Sequence, residues 1–245
     1  MNSEFLNPLN TEPLEFSACP PLDPRETFAV VQSSILELWE VVNRLSAIHP
    51  PKRERYSVTI FGSARLQKGC PIYRGVQDLA AELTKLGCDI ITGGGPGLMQ
   101  AANEGSVSAD PLNQTQSVGI RVELEFEQSV NPFVEQVYQH RTFFSRLHHF
   151  VLISDAFVIV PGGIGTTLEA MMIWQLLQVR NLSDTPLIMV GPMWAALVNW
   201  AKTFMVQTDM PLASPADMDI PICVDTFDAA IALIKADHHQ WQMRC

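Results

Sequence analysis

The sequence is poor in basic charge, with 16 lysines and arginines against 26 aspartates and glutamates and a formal net charge of −10. Binding along a nucleic-acid polymer requires a broad basic surface, so this imbalance argues against such a partner but leaves room for one nucleotide in a local pocket. The five cysteines, at positions 19, 70, 88, 223 and 245, are never spaced as Cys-x-x-Cys. That pattern argues against a disulfide framework and a zinc site, and we expect no metal and a reducing, cytoplasmic location.

Long apolar runs are missing as well. No stretch approaches the roughly 20 apolar residues that span a bilayer, and residues 1–8 contain neither the basic nor the apolar segment of a signal peptide. We therefore expect a soluble protein that has no membrane partner. A hydrophobic content of 47% over 245 residues is enough for one large core, and a second full domain is not expected.

Residues 1–54 are predicted to be an arm and a helix ahead of a domain that covers residues 55–245. Residues 1–24 contain five prolines and little periodicity, which is typical of an irregular arm. Over residues 25–48 apolar side chains recur every three or four positions, the pattern of an amphipathic helix. Its apolar stripe has to be buried against the domain or against a second subunit, and the sequence leaves both open.

After residue 55, strand and helix patterns alternate. Strands are predicted at residues 56–61, 88–92, 117–122, 156–160, 186–190 and 222–224. Helices are predicted at residues 72–86, 98–107, 140–153, 194–206 and 227–235, and another helix begins near residue 166. The polar stretches 123–139 and 210–221 are predicted to be loops. Alternating βα units of this length indicate an α/β fold, a doubly wound, Rossmann-like parallel sheet that binds ligands at the carboxyl ends of its strands.

Three turns follow predicted strands and are rich in small residues. The first turn is residues 62–65 (Gly-Ser-Ala-Arg), the second turn residues 93–97 (Gly-Gly-Gly-Pro-Gly) and the third turn residues 161–167 (Pro-Gly-Gly-Ile-Gly-Thr-Thr). Glycine permits positive φ and close approach of the backbone. The third turn also opens a helix, whose free amides and dipole form a ready site for phosphate. Packing alone also produces such turns, so a structural role is the alternative.

Glu169 lies one turn into that helix. A bound phosphate would repel its carboxylate, so Glu169 is better suited to act on a sugar or a base beyond the phosphate. The alternative is an ordinary acidic residue that the helix dipole favours in the first turns.

With these motifs together, the chain resembles the LOG family, the cytokinin riboside 5′-monophosphate phosphoribohydrolases, over about residues 55–235. The second turn with Leu98 and Met99 is similar to the family's GGG-x-GLM motif, and residues 161–169 match its PGGxGTxxE motif. The first turn, the Phe-Glu-Gln…Asn-Pro segment after residue 125 and the N-terminal helix resemble the longer bacterial subgroup. Leu147 and Leu168 depart from residues common in the family, so the resemblance does not identify the base.

The resemblance implies hydrolysis of the N-glycosidic bond of a nucleoside 5′-monophosphate, such as an N6-modified or plain adenosine monophosphate, to free base and ribose 5-phosphate. It places the catalytic residues at Arg146 and Glu169 and implies neither a cofactor nor a metal. We expect a phosphate contact and pocket wall formed by Gly162, Gly163, Gly165, Thr166, Thr167, Gly94, Gly95, Ser63 and Met99, with Glu127 or Gln128 reaching the base. Family members are homodimers or larger homo-oligomers, and the same is expected of this chain.

Other functions fit less well. A non-catalytic nucleotide or cofactor carrier, similar to the molybdenum-cofactor carrier proteins, is the main alternative, and the intact Arg146 and Glu169 count against it. An NAD(P) oxidoreductase needs Gly-x-Gly-x-x-Gly in the first turn, which is absent. Lysine decarboxylase, a label often given to the family, needs a lysine to hold pyridoxal phosphate, and none of the five lysines lies in a motif.

Three histidines are predicted to be solvated or at an interface, without a catalytic role: His140, His148 and His149.

Overall fold

A computed structural model describes residues 28–35, 37, 54–123, 129–182 and 185–244. The chain divides into two compact units, residues 1–49 and residues 50–245. In the first unit, residues 28–35 form a helix, α1, in which Phe28, Val31 and Ile35 are exposed. The predicted arm and most of the remainder of the predicted N-terminal helix lie outside the described residues.

The second unit contains one sheet of seven parallel strands, counted over the described residues, in the order β4-β3-β2-β1-β5-β6-β7. The strands are β1 Ser57–Phe61, β2 Asp89–Thr92, β3 Ser117–Val122, β4 Gln136–His140, β5 Ala156–Ile159, β6 Leu187–Val190 and β7 Pro221–Val224. The order reverses between β1 and β5, and ligands of doubly wound sheets bind at such a reversal. The predicted Rossmann-like α/β fold is confirmed.

Helices cover both faces of this sheet. They are α2 Pro71–Lys85, α3 Leu98–Ala109, α4 Phe143–Ile153, α5 Ile164–Gln178, α6 Pro192–Ala201 and α7 Phe227–Arg244. Alternate residues of each strand point to opposite faces. Val58, Ile90 and Val158 therefore join a core with α2, α3 and α7, whereas Phe157 and Ile159 join a core with α4, α5 and α6. Among the described helices, none combines the length and apolar character that crossing a membrane requires.

Strand β4 corrects the sequence prediction, which placed a loop over residues 123–139. Its register runs from Val118 opposite Gln136 to Val122 opposite His140. β4 is the edge of the sheet and its three central residues are exposed. An edge strand that is half solvated needs no continuous apolar run, so a search for buried strands overlooks it.

Two helix boundaries also differ from the prediction. Helix α4 begins at Phe143 rather than at residue 140, because the Thr142 hydroxyl caps it by accepting a hydrogen bond from the Ser145 amide at 3.2 Å. Helix α7 continues to Arg244, well beyond residue 235. Its added turns are held by His238 and Trp241, whose rings pack against Tyr56 at centroid distances of 5.2 and 5.7 Å. Such a long-range contact is invisible in local periodicity.

Candidate active site

The structure brings the three turns together at the carboxyl ends of β1, β2 and β5. The Ser63 amide of the first turn donates to the Pro161 carbonyl of the third turn at 3.1 Å. The Leu98 amide, directly after the second turn, donates to the Ser63 carbonyl at 2.8 Å. Gly97 has a φ of +70°, and a β-carbon there would collide with the backbone of Ser63 and Ala64. Only glycine permits this approach, so the backbones of the turns form one continuous wall.

The second turn also supports two side chains of the predicted site. A β-carbon on Gly93 would lie 2.5 Å from Nη2 of Arg146 and 2.7 Å from Sδ of Met99. Both side chains therefore rest directly on the Gly93 backbone. Gly94 has a φ of +68°, and its amide donates to Oγ1 of Thr92 at 2.9 Å. The turn is thus shaped by glycines whose missing side chains leave room for Arg146 and Met99.

Arg146 is fixed from three sides. Its Nε donates to the Ile120 carbonyl at 2.9 Å, which ties α4 to the end of β3. Its Nη1 donates to Oε1 of Glu169 at 3.1 Å, and its guanidinium carbon lies 5.2 Å from the centre of the Phe150 ring. The Arg146 and Glu169 side chains are only 12% and 13% exposed. The two predicted catalytic residues therefore form one largely buried ion pair beside the second turn.

Burial governs the charge of this pair. Loss of solvent raises the pKa of Glu169 to about 7, although Arg146 opposes the shift. Burial also lowers the pKa of Arg146, and the carboxylate of Glu169 counteracts that effect. A guanidinium remains protonated even so, whereas a glutamate with a pKa near 7 can hold or release a proton at neutral pH. Perturbed carboxyl groups of this kind are concentrated at functional sites.

The third turn differs from the second in its exposure. Gly163 and Gly165 are exposed, and Thr166 is buried against Gly162. Gly163 precedes the first residue of α5, and its carbonyl accepts hydrogen bonds from the amide and the hydroxyl of Thr167 at 2.9 and 3.0 Å. The amides in the first turn of α5 have no partner within the helix. The turn can therefore offer these amides to an anion.

Other predicted residues have different placements. Glu127 and Gln128, the predicted base contacts, lie outside the described residues. Nε2 of His140 lies 2.9 Å from Nδ1 of His149, whose ring packs on Tyr138 at the sheet edge. Burial and the nearby charge of Arg146 lower the pKa of His140.

Sequence reasoning overlooked Arg121 and Asn131. The Cγ of Arg121 lies 3.3 Å from the position of a β-carbon on Gly94, and its charge contributes to the lowered pKa of Arg146. An arginine inside the mostly apolar strand β3 was a signal that could have identified it. Asn131 is 95% buried and donates hydrogen bonds to the second turn. It belongs to the Asn-Pro pair that forms part of the family resemblance, but no role was assigned to it there.

Comparisons with known proteins agree with this fold. A family model described as "Possible lysine decarboxylase" matches residues 99–234. The molybdenum cofactor binding protein from the phototrophic bacterium Rippkaea orientalis is 17% identical, with a TM-score of 0.57 over 75% of this chain and 97% of that chain. The molybdenum cofactor carrier protein from Chlamydomonas reinhardtii is 16% identical, with a TM-score of 0.56 over 75% and 98% of the two chains.

A third solved structure, that of TM1055, is 19% identical, with a TM-score of 0.53 over 74% of this chain and 99% of that chain. No curated protein matches the sequence. At these identities the structural likeness shows the shared fold alone. The site itself has to be interpreted from its own residues.

Proposed function

Because the chain belongs to the LOG family, whose family model is described as "Possible lysine decarboxylase", we propose that it hydrolyses the N-glycosidic bond of a nucleoside 5′-monophosphate. The products are the free base and ribose 5-phosphate. The observation that carries the proposal is the largely buried ion pair of Arg146 and Glu169, which joins α4 to α5 beside the second turn. The third turn, at the start of the same α5, supplies the amides for a 5′-phosphate.

The chemistry follows from the charge that develops in the reaction. Breaking the bond between C1′ and the base nitrogen leaves positive charge on the ribose ring, and the carboxylate of Glu169 stabilises that charge. Water forms the new bond to C1′. The ionised Glu169 orients this water and takes up a proton from it, and the departing base gains a proton in turn. Arg146 keeps its charge and holds the phosphate or ribose side of the substrate.

The lysine decarboxylase activity that the family description suggests finds no support in the lysines. A lysine that holds pyridoxal phosphate as a Schiff base has to be activated in a desolvated pocket. Lys68 and Lys85 are exposed and pair with Glu104 and Glu82 at 2.5 and 2.7 Å. Lys202 and Lys235 are also exposed. No lysine within the described ranges is buried beside the Arg146–Glu169 pair.

A carrier without catalysis is the second candidate, since proteins of this fold include molybdenum cofactor binding and carrier proteins. A carrier would use the crevice and the exposed third turn. It would not need a carboxyl group that titrates near neutral pH beside a fixed guanidinium, and this feature favours the hydrolase.

Chromatographic detection of free base distinguishes the two candidates. The protein is incubated with AMP, N6-isopentenyl-AMP, GMP and CMP, alongside Arg146→Ala and Glu169→Ala. We expect base release by the wild type and its loss in both variants, and the best of the four nucleotides identifies the preferred base. Binding of these nucleotides without any release of base would favour the carrier.

We also propose that the active protein is a homodimer or a larger homo-oligomer, as its family suggests. Light scattering on the purified protein gives the molar mass in solution. A protein that is active and strictly monomeric at 27.2 kDa would refute this assembly.

A further inference from the structure

A group of buried polar side chains lies beneath the second turn and takes no part in the proposed chemistry. Oγ1 of Thr92 donates to Oδ1 of Asn103 at 2.7 Å, and Nδ2 of Asn131 donates to the same oxygen at 3.0 Å. Nδ2 of Asn103 donates to Oγ of Ser117 at 2.8 Å. All four side chains are buried. Buried polar groups are costly unless they are paired, so these residues form a defined network.

Asn131 extends this network to the backbone of the second turn. Its amide N–H donates to the Gly94 carbonyl and its Nδ2 donates to the Gly95 carbonyl, both at 3.0 Å. Its Oδ1 accepts from the Phe133 amide at 3.1 Å. Both hydrogens of Nδ2 are therefore used, one by Gly95 and one by Asn103. An aspartate at position 131 keeps the oxygen that accepts from Phe133, but its ionised carboxylate has no hydrogen to donate to Gly95 or Asn103.

The second turn is consequently held on opposite sides. The Gly94 amide donates to Thr92, and the Gly94 and Gly95 carbonyls are held by Asn131. Nη2 of Arg146 rests on Gly93 within the same turn. A change in the path of this turn therefore moves the surface against which the guanidinium packs, and with it the distance from Arg146 to Glu169.

We propose that Asn131 is a positioning residue, which holds the second turn and thereby sets the place of Arg146 relative to Glu169. This inference rests on the proposed function for its kinetic consequence, but its structural part is independent of any substrate. A displacement of about 1 Å in a catalytic group can reduce a rate about 100-fold. Asn131 thus acts on the reaction through Arg146 without touching the substrate.

The test compares Asn131→Asp and Asn131→Ala with Ser117→Ala. The Ser117→Ala variant is the matched control, because it removes a hydrogen bond from the same network without changing a partner of the second turn. Urea unfolding, kcat, KM and the pH dependence of kcat are measured for each, with the nucleotide that the wild type hydrolyses best.

We expect both Asn131 variants to lose about 10- to 100-fold in kcat. We also expect the acid limb of their pH profile to move to higher pH, because a looser Arg146 stabilises the Glu169 carboxylate less. Ser117→Ala should lose stability while its kinetic constants stay within about 2-fold of the wild type. Asn131 variants that lose only stability, with kcat, KM and pH profile unchanged, would overturn the proposal. Failure of both Asn131 variants to fold, with Ser117→Ala folded, would also overturn it in favour of a purely structural role.

A second measurement needs no activity. The Arg146 Nε–H donates to the Ile120 carbonyl, so its hydrogen exchange, followed by NMR, reports how firmly the guanidinium is held. We expect exchange about 10-fold faster in the Asn131 variants and unchanged exchange in Ser117→Ala. Unchanged exchange in all three would refute the positioning role even if the wild type hydrolysed no nucleotide. If the wild type hydrolyses no nucleotide but the Arg146 Nε–H exchanges faster in the Asn131 variants, the positioning role is supported. Only the proposed reaction is then contradicted.

Discussion

The second and third turns both contain several glycines, four and three respectively, but these glycines have different surroundings. In the second turn, β-carbons at Gly93 and Gly95 would meet Arg146 or Met99, and Gly94 and Gly97 have positive φ. In the third turn, β-carbons at Gly163 and Gly165 would meet no heavy atom within 4 Å, and neither residue has positive φ. Glycine is thus required by the protein's own packing at the second turn. At Gly163 and Gly165 the missing side chain leaves open space at the start of α5.

Glycine content alone therefore does not identify a binding turn. The second turn is a support on which the Arg146 and Met99 side chains rest, whereas the third turn presents its backbone outward. Gly162 is an exception within the third turn, because a β-carbon there would collide with Thr166. The Arg146–Glu169 pair joins the two regions, since Arg146 packs on the second turn and Glu169 belongs to the helix that the third turn opens.

The largest effect is expected where the two regions meet. Glu169→Gln keeps the shape of the side chain and removes its negative charge, so the charge on the ribose ring loses its stabilisation. We expect kcat for the preferred nucleotide to fall at least about 1,000-fold, or about 4 kcal/mol in the activation barrier. Steady-state release of free base measures it. Retention of more than a tenth of the wild-type rate would remove Glu169 from the mechanism.

The supporting role of the second turn predicts a large loss of stability in Gly97→Ala. The added β-carbon collides with backbone atoms of the first turn, and the residue must also adopt a φ of +70°. We expect the free energy of unfolding to fall by about 3 kcal/mol. Urea denaturation followed by circular dichroism checks this. A loss below about 1 kcal/mol would show that the contact between the turns is adjustable.

The pKa of Glu169 predicts a pH dependence of stability. Burial raises this pKa to about 7, above the value of about 4.3 in an unfolded chain. Between about pH 4 and pH 7, the folded protein therefore keeps the Glu169 proton, whereas the unfolded chain has lost it. This contribution to stability is fully present below about pH 4 and is lost as the pH rises to about 7.

Unfolding of the wild type and of Glu169→Gln in urea between pH 4.5 and pH 8 measures this contribution, because the variant has no proton to lose at position 169. We expect the difference in unfolding free energy between the two proteins to change across that range. Parallel curves would show that Glu169 titrates alike in the folded and unfolded states.

Because the third turn presents its backbone outward, we expect Gly165→Ala to have a smaller effect than the other variants, and to affect function rather than stability. The methyl group has space and the residue is already helical, so stability should be unchanged or rise by about 0.5 kcal/mol. The added methyl group would reduce the open space at the start of α5, where we expect the phosphate to bind, and kcat/KM should fall about 30-fold, or about 2 kcal/mol. Calorimetric binding of ribose 5-phosphate provides a second readout. Normal binding and turnover in Gly165→Ala would place the phosphate elsewhere.

The sequence predicted the central strands because they are buried on both faces. The apolar run at residues 156–160 contains β5, whose residues Ala156–Ile159 are all buried. The same criterion failed at β4, where three of the five residues are exposed and the residues are mostly polar. Local pattern thus identifies the centre of this sheet better than its edge.

The candidate site was predictable only in part. The third turn and Glu169 stand together in one motif, and the resemblance to the family added Arg146. The contact between Arg146 and Glu169 spans 23 positions and depends on how α4 crosses the end of β3, which no local pattern reveals. Asn131 was overlooked for the same reason, since its partners at Gly95 and Asn103 are 36 and 28 positions away.

The reversal of strand order between β1 and β5 has a consequence for how the protein acquires activity. The amide of Ser57 at the start of β1 donates to the Asp155 carboxylate just before β5, and these residues are 98 positions apart. Parallel strand pairing over such a separation is slow, because a long loop has to close at an entropic cost before the strand contacts can stabilise it. The first and third turns can meet only after that step. The proposed hydrolase activity should therefore return last during refolding, later than helical structure, and serve as a sensitive reporter of the completed native state.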